Sequence, residues 1–506
     1  MLHKFKPLLF LLICSLGVYA QHPVAVEQNL KKAGSNRPEL EKAIAHCQQT
    51  NDPKKLQAIY FLIANMDIHQ SADYYWESKD GQKIAYNELD YPDFNEASKV
   101  IEYIKTQNPG LRPKPFKSND IETIKGDFLI NNLEKAFDAW KYSPVKNISF
   151  DAFCDYILPY RINIEPLQEW RTAYSTKFSW ITPKIKDIGF EAILPYVTDE
   201  ANSWFTNTWS FGKRKDPLPR LGSLQLLFRK QGPCEDLADL GVFTMRSQGI
   251  PATVDFIPYW ATTKGGHALN AFFGDNNQPT HFDYGTKEYN EKLRREPAKV
   301  LRTTYSKNPQ NLASFEEQDK IPKGFLRETN FLDVTNEYWK TRNVKCSLYP
   351  NQLPNKIVYA CTFSSLRWQP FWWGKIINND SQFDQICLGT VVLPQYYSNE
   401  KMIPAGAPII VGETENTVLT PDFNQLQDIN IKSLANYLII KPNVSYKLMY
   451  WNNKWQLTET ITATETTVSL LFHKVPKNAL LLLLSSDSKG LERPFIIDDT
   501  GERTWF

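Results

Sequence analysis

Cysteine is scarce in this chain: seven residues, at positions 14, 47, 154, 234, 346, 361 and 387, among 506. So few cannot form a disulfide scaffold for a chain this long, so each thiol needs its own explanation. An excess of charge of one sign is missing too. Lys and Arg number 58 and Asp and Glu 56, and Lys4 and Lys6 are the only charged residues among the first 20, so without that segment the balance is 56 against 56. Nucleic-acid binding is driven by clustered basic surface, and no such stripe occurs, which excludes nucleic acid as the main partner. Beyond the amino terminus no apolar run nears the roughly 20 residues of a membrane span, so the mature chain is expected not to span a membrane. The longest run, 479–484, reads as a buried strand. P-loop and dinucleotide fingerprints are absent, and the His and Cys residues show neither CxxC nor paired ligand spacing, so no cofactor and no metal is expected.

What is present describes a folded chain: 42% hydrophobic, 13% aromatic and 23% charged residues. At about 150 residues per domain the length implies several domains. The first 20 residues, MLHKFKPLLFLLICSLGVYA, combine a basic start, an apolar run from Leu8 to Val18 and small residues before a cut after Ala20. That is the pattern of a cleaved signal peptide, and the mature protein is expected to be secreted or periplasmic. Cys14 leaves with the leader. The compartment permits disulfides, so a bridge among Cys346, Cys361 and Cys387 is open, with the pair unspecified.

The chain divides by texture. From 27 to 196 apolar residues recur at spacings of three and four, in ELEKAIAHC (39–47), KLQAIYFLIANM (55–66), FNEASKVIEYIKTQ (94–107) and IETIKGDFLINNLEKAFDAWKY (121–142), with Ser149 opening a shorter helix. After 203 come a short helix at 224–230, a break at Gly232-Pro233, a second helix from Cys234 to about Ser247, and strand-like runs at 253–260, 267–274 and 280–285. From 331 onward the runs are strand-like: 356–365, 386–397, 407–412, 437–441, 446–451, 455–472 and 479–486. The expected architecture is a multidomain α+β protein: leader 1–20, all-helical domain 21–198, α+β core 199–328, and β-sandwich-like modules 329–412 and 413–506.

The chemistry concentrates between 232 and 285. Gly232 and Pro233 place Cys234 in the first turn of a helix, where unpaired N–H groups and the helix dipole favour a thiolate. His267 opens one strand and Asp283 lies on the next, so adjacent strands can set an imidazole over the thiol and a carboxylate behind it, giving a nucleophile, a base and an orienting group. His281, two residues from Asp283, shares its strand face.

The run G-x-C-x-D-x-A (232–238), then R-x-x-G-I-P-A (246–252), then a His strand and an Asp strand resembles the transglutaminase-like superfamily, whose fold is related to papain-like cysteine proteases. The resemblance implies Cys234 as nucleophile, His267 as general base and Asp283 as the residue that orients it. By the same resemblance Asp236 and Arg246 brace the nucleophile helix. Relatives complete the oxyanion hole with an upstream Trp or Gln, for which Trp204, Trp209, Gln225 and Gln231 are the candidates. The chain departs from the family where Leu269 and Asn270 follow the His and where His281 and Phe282 precede the Asp.

The expected function is a secreted cysteine enzyme acting on amide bonds through an acyl-thioester, hydrolytic (protease or amidase) rather than crosslinking. Its substrate would be a protein, peptide or peptidoglycan-type amide, with glycan contact through the carboxyl-terminal β modules. The alternative is a non-enzymatic glycan- or protein-binding surface protein on the same scaffold, in which the aromatic cluster Trp368, Phe371, Trp372 and Trp373 stacks on a ligand.

Overall fold

The computed structural model describes residues 22–208, 217–284, 288–289, 293–350, 355–434, 438–498 and 501–506. The expected leader therefore lies outside the described residues, as does Trp209. Among the described residues no helix is long and apolar enough to cross a membrane.

The amino-terminal region is helical, and its helices start where the capping chemistry says they should. Asp52 accepts from Lys54 N–H (2.9 Å) with Pro53 as first helical residue, Asp93 from Glu96 N–H (2.9 Å) and Ser149 from Ala152 N–H (3.1 Å). The helices Arg37–Gln49, Pro53–Asn65 and Gly126–Lys141 bury Leu40, Ile44, Leu62, Ile63, Leu129 and Leu133 in one core. The all-helical expectation is incomplete here. A three-stranded antiparallel sheet, in the order Lys83–Ile84, Gln70–Glu77, Arg112–Asn119, stands among the helices. Arg112–Asn119 is an edge strand carrying Pro113 and Pro115, residues that an edge tolerates because it has ladder N–H groups to spare.

The region around the conserved-looking motifs is built on a six-stranded antiparallel sheet in the order Phe331–Asp333, Leu301–Thr303, Ala252–Ile257, His267–Phe273, Pro279–Asp283, Glu288–Tyr289. Against the two central strands packs the helix Cys234–Ser247, every residue of which is buried from Asp236 to Ser247. A helix enclosed on all sides must satisfy its polar side chains internally. Asp239 accepts from Asn163 (3.0 Å) and Arg220 (3.4 Å), and Arg246 donates to the carbonyls of Ala252 (2.9 Å) and Arg161 (3.0 Å).

That last contact joins the helical region to the core. Arg161 is itself buried and donates to the Asp120 carboxylate (2.8 Å), to Ser71 and to the Gln70 carbonyl. From the other side Tyr305 inserts between the amino-terminal helices, stacked on His69 at 4.1 Å and donating to Leu62 O (3.1 Å).

Among the described residues from Phe331 onward the regular elements are strands apart from the turn of helix Thr335–Tyr338. Strands between Thr341 and Val418 form a six-stranded sheet and a two-stranded one; those from Asp422 onward form separate five- and two-stranded sheets. Three expected runs need correction. The run 386–397 is two strands, Asp380–Cys387 and Val391–Ser398, because Gly389 turns the chain at φ +80°. The run 455–472 is likewise two, Trp455–Thr462 and Ser469–Lys477, divided by a Thr464–Thr467 turn. Of 437–441 the described part makes only an isolated bridge, Leu434 to Leu438, with Ile439 exposed. No bridge forms among Cys346, Cys361 and Cys387: all three are free and buried.

Candidate active site

The two strands His267–Phe273 and Pro279–Asp283 pair with Asn270 opposite Phe282 and Ala271 opposite His281. One step further along that register sets Asp283 opposite Leu269, so His267 and Asp283 are diagonal neighbours on one face of the sheet. Their side chains meet: His267 Nε2 lies 2.7 Å from Asp283 Oδ2. Nδ1 is then the ring nitrogen left for the sulfur, and Cys234 is close enough to the imidazole to help raise its pKa.

Several contacts fix this arrangement. Asn270 donates to Ala238 O at 2.9 Å, pinning the strand to the helix one turn beyond Cys234. Gly232 has no side chain because Asp236 fills that space: a Cβ would stand 2.3 Å from Asp236 Oδ2. Gly249 turns the chain at φ +75° where a Cβ would meet Ala139 O at 2.0 Å. Gly266, just before His267, leaves room for Ile257 O, which a Cβ would approach to 2.4 Å. The G-x-C-x-D and R-x-x-G patterns are thus close-packing requirements around one buried helix.

The electrostatics follow from this enclosure. Burial pulls the His267 imidazole down, but its hydrogen bonds to Asp283 and Cys234 outweigh burial and raise it to about 10. Burial pushes Asp239 up to about 7, against the pull of Arg220 and Asn163. The remaining thiols are of another kind: burial raises Cys47, Cys154 and Cys346 to about 12 and Cys361 and Cys387 further. Cys234 is the one described cysteine that is not buried. Its backbone N–H has no acceptor among the described residues, since the first turn closes through Asp236 and Leu237 N–H onto Pro233 O.

Residues 196–284 match the family model of the transglutaminase-like superfamily. The chain carries a transglutaminase-like domain. No curated protein shows a significant match to the chain. Within this domain the structure brings Cys234, His267 and Asp283 together and places Asp236 and Arg246 as supports of the helix. Of the other candidates, Gln225 and His281 are engaged elsewhere. Gln225 accepts from Gly222 N–H (2.8 Å) and donates to Glu88 (2.6 Å), so its amide is not available to an oxyanion. His281 bonds Glu337 at 2.9 Å and stacks on Tyr338 at 4.0 Å, a brace between the sheet and the helix Thr335–Tyr338. Lys177 lies 4.3 Å over the Trp204 ring, whose buried Nε1–H has no acceptor among the described residues. Gln231 is exposed and lines a cavity of about 320 Å³ beside Gly232, walled by Tyr74, Trp76, Tyr86 and Phe94.

Two neighbours of the transglutaminase-like site escaped the sequence reading. Trp260 stacks on the His267 imidazole, ring centroids 6.0 Å apart. It stands in the loop closed by its own N–H to Gly265 O (3.0 Å), a turn that the adjacent Gly265-Gly266 pair signals. Glu235 reaches the sulfur: its Oε2 is 3.3 Å from Cys234 Sγ.

Proposed function

We propose that the transglutaminase-like domain is a cysteine acyl-transfer enzyme acting on amide bonds, with Cys234 as nucleophile, His267 as general acid and base, and Asp283 as its orienting group. The observation that carries this reading is the imidazole bonded to Asp283 at 2.7 Å and held under the influence of Cys234, the only unburied described thiol. The thiol sulfur adds to the amide carbonyl while its proton rests on His267. The carbonyl oxygen, now negative, takes the unpaired Cys234 N–H. The C–N bond breaks as His267 returns the proton to the departing amine, leaving an acyl-thioester. Water, deprotonated by His267, then attacks the acyl carbon and releases a carboxylic acid and the free thiol. Trp260 shields one face of the imidazole, and the aromatic cavity beside Gly232 receives part of the substrate.

Hydrolysis is favoured over crosslinking, with a protein, peptide or peptidoglycan-type amide as substrate outside the cytoplasm. Glycan binding by the carboxyl-terminal modules has less support, because the aromatic faces are already used. Lys299 Nζ lies 4.2 Å over Trp372, Phe315 packs on Trp373 at 5.3 Å, and Trp368 packs on Phe363 and Trp451 at 5.2 and 5.4 Å. The test is turnover of peptide libraries, with and without an added primary amine, by the wild type and Cys234→Ala. Release of free acid that the variant lacks supports hydrolysis; amine incorporation reassigns the reaction to crosslinking, and equal activity of the two proteins overturns the enzyme reading.

A further inference from the structure

A carboxylate beside a nucleophilic sulfur is a cost: it opposes negative charge on that sulfur. Glu235 nevertheless holds Oε2 at 3.3 Å from Cys234 Sγ, accepting a hydrogen bond while the sulfur is a thiol, and among the described residues no Lys, Arg or His pairs with it. His267 is bonded to Asp283, and Arg220 faces Asp239 at 3.4 Å. Glu235 is half-buried, so its charge acts across the mouth of the site with less screening than at an open surface. Its field reaches inward as well, adding to the upward push on Asp239. Among the described residues, then, Glu235 sets a negative group without a basic partner next to the reacting atom.

We propose that Glu235 selects a substrate whose reacting carbonyl belongs to a residue with a free α-ammonium group, so that the acyl group transferred to Cys234 is an unblocked aminoacyl group. This rests on the reading of Cys234 as nucleophile. The distances close on that chemistry. An attacked carbonyl carbon waits about 3–3.5 Å from the sulfur, and an ammonium on a carboxylate sits at about 2.8 Å. With the sulfur and the carboxylate oxygen 3.3 Å apart, these distances admit an ammonium and a carbonyl at the spacing of an α-amine and its own carbonyl. In the reaction Sγ bonds the carbonyl carbon, the C–N bond to the next residue breaks, and the leaving amine takes the proton from His267. The α-ammonium stays protonated on the acyl group, paired with Glu235. Binding this cation removes the electrostatic cost at the sulfur just when a substrate is present.

The experiment reads charge selectivity at the sulfur first, without needing a natural substrate. The full chain and Glu235→Gln are treated with three methanethiosulfonates, carrying a neutral methyl, a trimethylammonioethyl or a sulfonatoethyl group, and the mixed disulfide at Cys234 is followed by mass spectrometry. The wild type is expected to react at least ten-fold faster with the cationic than with the anionic reagent. Glu235→Gln should bring that ratio near one while the neutral reagent's rate changes only a few-fold. Reaction with the neutral reagent but no charge preference, or a preference unchanged in Glu235→Gln, overturns this proposal alone. No reaction at Cys234 with the neutral reagent overturns the nucleophile reading and this proposal with it. Short peptides then test the substrate class: acetylating the amino terminus should lower kcat/KM at least ten-fold in the wild type and less in Glu235→Gln, and equal turnover of free and acetylated peptides overturns the assignment.

Discussion

His267 Nε2 and Asp283 Oδ2, on neighbouring strands, stand 2.7 Å apart, and Asp283 together with Cys234 raises the pKa of that imidazole. The strand pairing sets this distance, so the orientation of the ring is a property of the sheet. Replacing Asp283 by Asn keeps a side chain of the same shape but removes the charge and invites the wrong tautomer. Asp283→Asn is expected to lower the rate of amide turnover by about 10²–10⁴-fold, with the fold retained and part of the pair's stability lost. Steady-state kinetics alongside thermal unfolding checks this; full activity in the variant would show that the ring needs no such partner.

The same pair makes stability depend on pH in a defined window. The ordinary His value is 6.5 and the folded value is raised to about 10, so the folded state binds the proton more tightly than the unfolded state. The contribution is fully present below 6.5 and disappears as pH rises toward about 10. Urea unfolding of the wild type and His267→Gln is expected to show the wild type's advantage shrinking over that interval. An advantage that grows with pH would contradict the assignment.

Glycine positions separate close packing from backbone strain. Gly249 and Gly265 both have positive φ, +75° and +84°, but a Cβ at Gly249 meets Ala139 O at 2.0 Å while one at Gly265 meets nothing within 4 Å. Gly265→Ala should cost about 1 kcal/mol, the backbone strain alone. Gly249→Ala should cost at least about 2 kcal/mol more, because the helix Gly126–Lys141 must move from the end of the nucleophile helix. Denaturant midpoints of the two variants measure the difference.

How far the sequence speaks depends on the residue type that carries the signal. Helices with capped starts, such as those after Asp52, Asp93 and Ser149, are visible because the cap and the apolar spacing are local. The Gly232-Pro233 break and the strands at His267 and Asp283 are visible for the same reason. The sheet Gln70–Glu77 with Arg112–Asn119 is not: the first strand buries residues without strict alternation, and the second is largely exposed and carries two prolines. The long β runs hide their turns, since Gly389 alone divides one of them. Within the site, Trp260 and Glu235 become meaningful only when a loop folds over His267 and a side chain reaches back to its neighbour's sulfur. Gln225 reads as an oxyanion donor until Glu88, from far upstream in the chain, is seen to occupy its amide.

The central claim is that Cys234 is a nucleophile activated by His267, and thiol labelling tests it most directly. The folded full chain and His267→Ala are exposed to limiting iodoacetamide at neutral pH, and each thiol is followed by peptide mass spectrometry. Cys234 is expected to be alkylated well ahead of Cys47, Cys154, Cys346, Cys361 and Cys387, which burial keeps protonated and covered. Loss of the imidazole should slow Cys234 about a hundred-fold or more, in line with the lower bound for a positioned base. Uniform labelling of the thiols, or a Cys234 rate indifferent to His267, would contradict the account.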